Sequence, residues 1–120
     1  MSIEQIAKRL TELCRQGQYE TAQKELYAAN AISIEPENSP APGPKKTEGL
    51  DNIIIKGQQF QSMVEEVHGG SVSDPVIAGN YFSVAAVLDM TYKGMGRQKM
   101  EEICLYKVQD GKIVSEQFFY

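Results

Sequence analysis

Near the end of the chain Glu116 stands among apolar neighbours. Strand alternation puts it on one face with Phe118 and Tyr120. Earlier, Glu102, Cys104 and Tyr106 share a face by the same rule. Cross-strand from Glu102 or Tyr106, Glu116 would complete a polar patch among greasy side chains. Paired carboxylates push their titrations apart, a route to one acid and one base. Burial raises a carboxyl's pKa because it disfavours the charge, and that brings proton exchange toward neutral pH. A plainer alternative pairs Glu116 with Lys107 or Lys112, and leaves Tyr106 as a packing residue whose hydroxyl meets the backbone.

His68 is the only histidine, and so the only side chain titrating near pH 7 unaided. It precedes Gly69-Gly70 at an expected helix end, where it would satisfy a free carbonyl. The alternative sets it at the mouth of a pocket as a proton-transfer partner. No basic residue shares a face with Cys104, which reads as a small buried hydrophobe rather than a nucleophile. Cys14 falls on an apolar helical stripe and belongs to the core. Asp89 lies on the opposite strand face from Leu88 and Met90, and suits an ion pair or an interface.

The whole chain limits what such residues can serve. Its 120 residues suit one domain over residues 1–120. Twelve Lys and Arg oppose sixteen Asp and Glu, a net charge of -4. The basic pairs are short, so no phosphate-neutralising face exists and nucleic acid is not an expected partner. No apolar run approaches the roughly 20 residues of a membrane span, and the first residues lack the apolar core of a signal peptide. Two cysteines and one histidine make neither a disulfide framework nor a metal cluster. The expectation is a reduced, cytoplasmic protein, soluble and without metal or cofactor.

The elements that must position these residues begin at Ser2, with Gln5 three residues on as a capping box requires. Ile3, Ile6, Ala7, Leu10 and Leu13 form one helical stripe, and Gly17 ends it. A second helix is predicted over residues 18–28, then a short strand over 31–36 ended by Pro36. The proline-dense stretch of residues 37–47 reads as a surface loop and a mobile flap. Thr47 can cap a third helix whose face runs from Leu50 through Ile53, Gly57 and Phe60 to Val64 and Val67. Strands are predicted over 71–78, 81–92, 97–109 and 112–120, with Gly79-Asn80 and Asp110-Gly111 as hairpin turns. Helices followed by an antiparallel meander make an α+β pattern.

That order resembles the nuclear-transport-factor-2-like superfamily, which includes ketosteroid isomerases and SnoaL-like polyketide cyclases. The resemblance rests on LYAANAISIEP (26–36), EGLDNI (48–53) and EEICLYKVQDGKIVSEQFFY (101–120). It implies N-terminal helices packed into a strongly curved antiparallel sheet, forming a cone with an apolar pocket. It implies a concave face carrying Leu88, Met90, Cys104, Tyr106, Glu116 and Phe118, with Tyr120 beyond them. Ile103, Leu105 and Phe119 would lie on the outer face, free for a second subunit. The isomerases place a general-base carboxylate just before a proline at the end of the first strand, where Glu35-Pro36 stands here. Their helix tyrosine falls near Leu10 and their second acid at Cys104, and neither is a comparable hydrogen-bond donor.

Two functions remain open at this level. The first is cofactor-free acid–base chemistry on a small apolar molecule, carried by Glu35 with Tyr106, Glu102, Glu116 or His68. The second is a non-catalytic binder or dimeric scaffold. The departures at Leu10 and Cys104 favour the second, and the acids among apolar residues favour the first.

Overall fold

The structure is a computed structural model that describes residues 1–40 and 43–120. Helix α1 spans Ile3–Arg15. Both halves of its capping box form: the Gln5 N–H donates to Ser2 Oγ at 3.2 Å, and the Ser2 N–H to Gln5 Oε1 at 2.9 Å. It ends in a Schellman turn, with the Gln18 N–H on the Leu13 carbonyl and the Gly17 N–H on that of Cys14. Gly17 takes the left-handed φ of 73° this turn requires.

Helix α2 (Tyr19–Leu26) passes directly into strand β1 (Tyr27–Ile34). Tyr27, expected on the helix, opens the strand instead, and the predicted strand start at residue 31 moves back with it. Strand β2 (Lys46–Glu48) pairs with β1, so Lys46 and Thr47 are not loop residues. Thr47 is buried opposite Ser33, and Gly49 precedes helix α3 (Leu50–Ser62) in place of a Thr47 cap. The loop reading at Ala41 and Pro42 lies outside the described residues. The loop's base is tied by the Glu35 N–H on the Lys45 carbonyl at 2.7 Å.

Helix α3 stops at Ser62 rather than at Val67. Residues Val64–Val72 form strand β3, which pairs with the far end of β5. The three-residue spacing of Val64 and Val67 suits a helix while their β-branching suits a strand, and the offered ladder decides it, with register shifts on either side of Val67. His68, Gly69 and Gly70 are therefore strand residues, not a helix end. The predicted strand over 71–78 is split by Ser73-Asp74-Pro75, since Pro75 has no N–H for a ladder. Strand β4 (Val76–Ala78) then forms a hairpin with β5 (Tyr81–Tyr92). Strands β6 (Gly96–Gln109) and β7 (Lys112–Phe119) complete the chain around the expected turn. Asp110 and Gly111 there take φ of 53° and 74°.

The sheet order is β2-β1-β7-β6-β5-β3, with β4 also on β5. It is curved, unclosed and mixed, because β1 and β7 run parallel while the other pairs are antiparallel. The wholly antiparallel sheet expected from sequence is thus corrected. After β1 the chain crosses to the opposite edge through α3 and returns strand by strand. It brings β7 alongside β1 in the same direction.

Strand parity is right for β5 and β6 but breaks in β7. Tyr106 pairs with Glu116, yet Val108 pairs with Ile113, so β7 carries one extra residue between them. Ile113, which strict alternation along the strand would place on the outward face with Phe119, is instead fully buried. It joins a core of α1 side chains (Ile6, Leu10) against Phe82, Tyr106 and Val108. The Phe82 and Tyr106 rings stack at 4.8 Å.

Candidate functional site

Burial is uneven along the concave face. Val84, Cys104 and Tyr106 are buried at one end, and Met90 and Tyr92 at the other. Between them Ala86, Leu88, Met100, Glu102 and Phe118 are only half-buried. Register places Ala86 beside Glu102 and Leu88 beside Met100, so these residues form one patch. Solvent reaches an apolar surface here, with one carboxyl at its centre.

A polar chain borders this patch. Glu116 is 3% exposed. Tyr27 donates its hydroxyl to Glu116 Oε1, and Ser33 donates to Oε2 at 2.6 Å. Lys56 Nζ donates to Ser33 Oγ at 2.6 Å and to Glu35 Oε1 at 3.0 Å. Tyr120 donates to Glu35 Oε2 at 2.8 Å, and its oxygen lies 2.6 Å from Ser39 Oγ. The chain thus runs unbroken from Tyr27 to Ser39. The Lys56 ammonium also lies over the Phe118 ring, 5.4 Å from its centroid.

Three carboxyls, Glu35, Glu102 and Glu116, share this region with Lys56. Burial raises the Glu116 pKa, and the Ser33 and Tyr27 hydrogen bonds and the Lys56 charge oppose the rise. Glu102 is pushed up to about 7, first by burial and then by the charges of Glu35 and Glu116, against the Cys104 hydrogen bond and Lys56. The Cys104 thiol donates to Glu102 Oε1 at 3.5 Å. Burial pushes that thiol up as well, which keeps it protonated and poorly nucleophilic. Glu35 and Glu116 have both oxygens occupied within the protein. Among the described residues Glu102 has one bond, to a weak thiol donor, so it retains acceptor capacity toward the half-buried patch.

The remaining sequence candidates fall in four places. Cys104, Tyr106, Glu116 and Phe118 are inward-facing as the resemblance implied, and Leu88 and Met90 share that face. Tyr120 reaches the polar chain from beyond β7. Leu10 is 1% exposed within the core, under α1. His68 does not join the acids: its Nε2 lies 2.6 Å from Thr91 Oγ1, on the side of β5 opposite Met90 and Tyr92. Asp89 forms the expected ion pair, taking both Arg97 bonds at 2.9 and 3.0 Å. Glu116 pairs with neither Lys107 nor Lys112, because the β7 bulge and the β1 register set it against Tyr27 and Ser33.

Sequence reasoning missed Tyr27, Ser33, Lys56 and Tyr92. Lys56 carried a readable signal: it lies three residues after Ile53 and four before Phe60, on the buried stripe of α3. Ser33 and Glu35 alternate with Ile32 and Ile34, and a rule that buries the apolar set would choose the wrong face. Tyr27 was hidden by its assignment to a helix. Two surface grooves lie elsewhere. One of about 400 Å³ runs between Met1 and the turns at Gly79 and Asp110. One of about 300 Å³ lies against α3 and β2 and touches Lys56.

A curved sheet with helices on its concave side and buried acids beneath them defines the class, and comparison gives the family. Residues 1–120 match the SnoaL-like domain. The chain belongs to the SnoaL-like domain family. A Mesorhizobium loti structure, described as a candidate SnoaL-like polyketide cyclase and carbohydrate phosphatase, is 38% identical, covers 100% of each chain and has a TM-score of 0.90. IdmH of Streptomyces antibioticus, a candidate polyketide cyclase, is 21% identical over 98% of this chain and 91% of its own, at a TM-score of 0.70. A Catenulispora acidiphila protein with a ketosteroid isomerase-like fold, in complex with trimethylamine, is 20% identical over 96% and 84%, at 0.73. The last two show likeness of fold. No curated protein matches the chain.

Proposed function

We propose that this single domain binds a small, uncharged, apolar molecule on the half-buried patch of the concave face, and that Glu102 exchanges a proton with it. One observation carries the reading: an acceptor-competent carboxyl, pushed up to about 7, stands within an apolar surface that solvent reaches. A group titrating near the operating pH serves as both acid and base. In this reading Glu35 is not the base its strand position suggested. With Lys56 and Tyr120 on its two oxygens, it holds the charge balance of the site. Glu116 and Tyr106 form the floor, and Leu88, Met100 and Phe118 supply the apolar contact. The chemistry is of isomerase or cyclase type, needs no cofactor, and suits a reducing cytoplasm where Cys14 and Cys104 stay thiols. The identity of the Mesorhizobium relative supports this class.

Nitrobenzisoxazole, an apolar ring opened by proton abstraction, tests the reading. Wild-type protein should accelerate its opening with a pH midpoint of about 7. Glu102→Gln should lower the rate on the order of 10²-fold, while Glu35→Gln changes it less. A rate indifferent to Glu102→Gln would sink the assignment. A second reading, a binder without turnover, is favoured by the internal satisfaction of Glu35 and Glu116. It predicts that the ring binds the patch and is never opened.

A further inference from the structure

Tyr92 ends β5 and is 5% exposed. Its hydroxyl is buried and has no hydrogen-bond partner among the described residues. A buried hydroxyl without a partner is destabilising, a cost phenylalanine would avoid. The ring packs edge-on against Phe60 of α3, with centroids 5.8 Å apart at 64°. By alternation Tyr92 shares the concave face with Leu88 and Met90, beyond the half-buried patch from Cys104 and Tyr106. By register Tyr92 pairs with Gly96 and Glu102 with Ala86, so Leu88 and Met90 lie between them on one face; burial, then the charge of Glu102, raises the Tyr92 pKa, and Tyr92 stays a neutral donor.

We propose that Tyr92 is a ligand-positioning residue, its hydroxyl donating a hydrogen bond to a carbonyl or ether oxygen of a neutral apolar ligand that lies between it and Glu102. This rests on the functional reading above and deepens it by naming the ligand class. Glu35, Glu102 and Glu116 outnumber Lys56 here, which disfavours a carboxylate or phosphate ligand. An uncharged oxygen acceptor meets no such penalty, and it supplies what the Tyr92 hydroxyl lacks. Phe60 is half-buried and packs on the Tyr92 ring, so it is the side chain the ligand displaces.

Two probes of similar shape separate the hydrogen bond from apolar contact: acetylnaphthalene, which carries an acceptor, and ethylnaphthalene, which does not. Binding is measured by equilibrium dialysis at about pH 9, where a carboxyl titrating near 7 is ionised and cannot donate, while a tyrosine remains protonated. Wild-type protein should prefer the ketone. Tyr92→Phe should weaken ketone binding roughly 3- to 10-fold and leave ethylnaphthalene unchanged. Its melting temperature should hold or rise, since the lost hydroxyl had no partner. Both probes binding with a ratio indifferent to Tyr92→Phe would overturn the inference while leaving the functional reading intact. A marked fall in melting temperature would assign the hydroxyl a structural partner and overturn it too. If neither probe binds wild-type protein, the patch is not an apolar site and both readings fall.

Discussion

Lys56 is the cation around which the polar interior is arranged. It bonds to Ser33 and Glu35, covers Phe118, and lowers the pKa of both Glu102 and Glu116. Removing one partner of a partly buried pair leaves the other uncompensated. Lys56→Met should therefore destabilise the fold by about 1–3 kcal/mol, less than a fully buried pair because the ammonium keeps some solvent. It should also move the Glu102 midpoint above its present value of about 7. Urea unfolding checks the first effect and carboxyl carbon NMR the second. Glu102 has its own signature. Its folded pKa lies above the 4.5 of an unperturbed Glu, so between about 4.5 and 7 the folded state holds a proton that the unfolded chain releases. Its contribution to stability is present below that window and is lost as pH rises through it. Glu102→Gln should flatten this slope and, above pH 7, be more stable than wild type by up to about 3 kcal/mol. Unfolding curves from pH 4 to 9 would show it; a slope that survives the substitution would assign the proton elsewhere, with Glu116 the first alternative.

At the scale of elements, the segment after α3 decides how the concave face is closed. Strand β3 covers the Met90 end of β5 only because Gly70 lets the two backbones approach. A Cβ at Gly70 would lie 2.5 Å from the Val87 carbonyl oxygen, whereas one at Gly69 would meet nothing within 4 Å. Gly70→Ala should destabilise by about 1–3 kcal/mol through forced strand displacement, and Gly69→Ala should be near neutral. Denaturant midpoints of the two variants give the contrast, and equal midpoints would show that β3 yields freely. The same element shows where local sequence was ambiguous. Val64 and Val67 continue the helical stripe of Ile53 and Phe60, yet they pair with Tyr92 and Met90 in the sheet. A helix and a strand compete there with little intrinsic preference, and the open edge of β5 settles it.

At the scale of the molecule, the convex face is the unfilled surface. Ile103 and Phe119 are register partners across β6 and β7, exposed by 46% and 48%, and Tyr81 is 44% exposed. Leu105 between them is half-buried. Contiguous exposed apolar residues mark association surfaces, and the prediction is that a second copy of the chain covers this one. Light scattering at micromolar concentration should give about twice the 13.4 kDa chain mass. Ile103→Lys with Phe119→Glu should return it to one chain. A single-chain mass for the wild type would reject the dimer. No helix among the described residues is long and apolar enough to cross a membrane.

What the sequence determined by itself was whatever short-range chemistry decides. The capping box at Ser2 and Gln5, the stop at Gly17, the Asp110-Gly111 turn and the alternation of β5 and β6 depend on neighbours a few residues apart. Each formed as read. Glu102 and Glu116 were legible because an acid breaks an apolar alternation. Tertiary structure alone decided which partners those acids meet. Tyr27 and Ser33 lie 89 and 83 residues before Glu116, and they reach it only because β7 returns beside β1 in parallel. The one-residue bulge before Glu116 turned Ile113 inward, which no period of two could foresee. Whether a hydroxyl such as that of Tyr92 finds a partner is likewise a property of packed space, since desolvation depends on everything that surrounds the group.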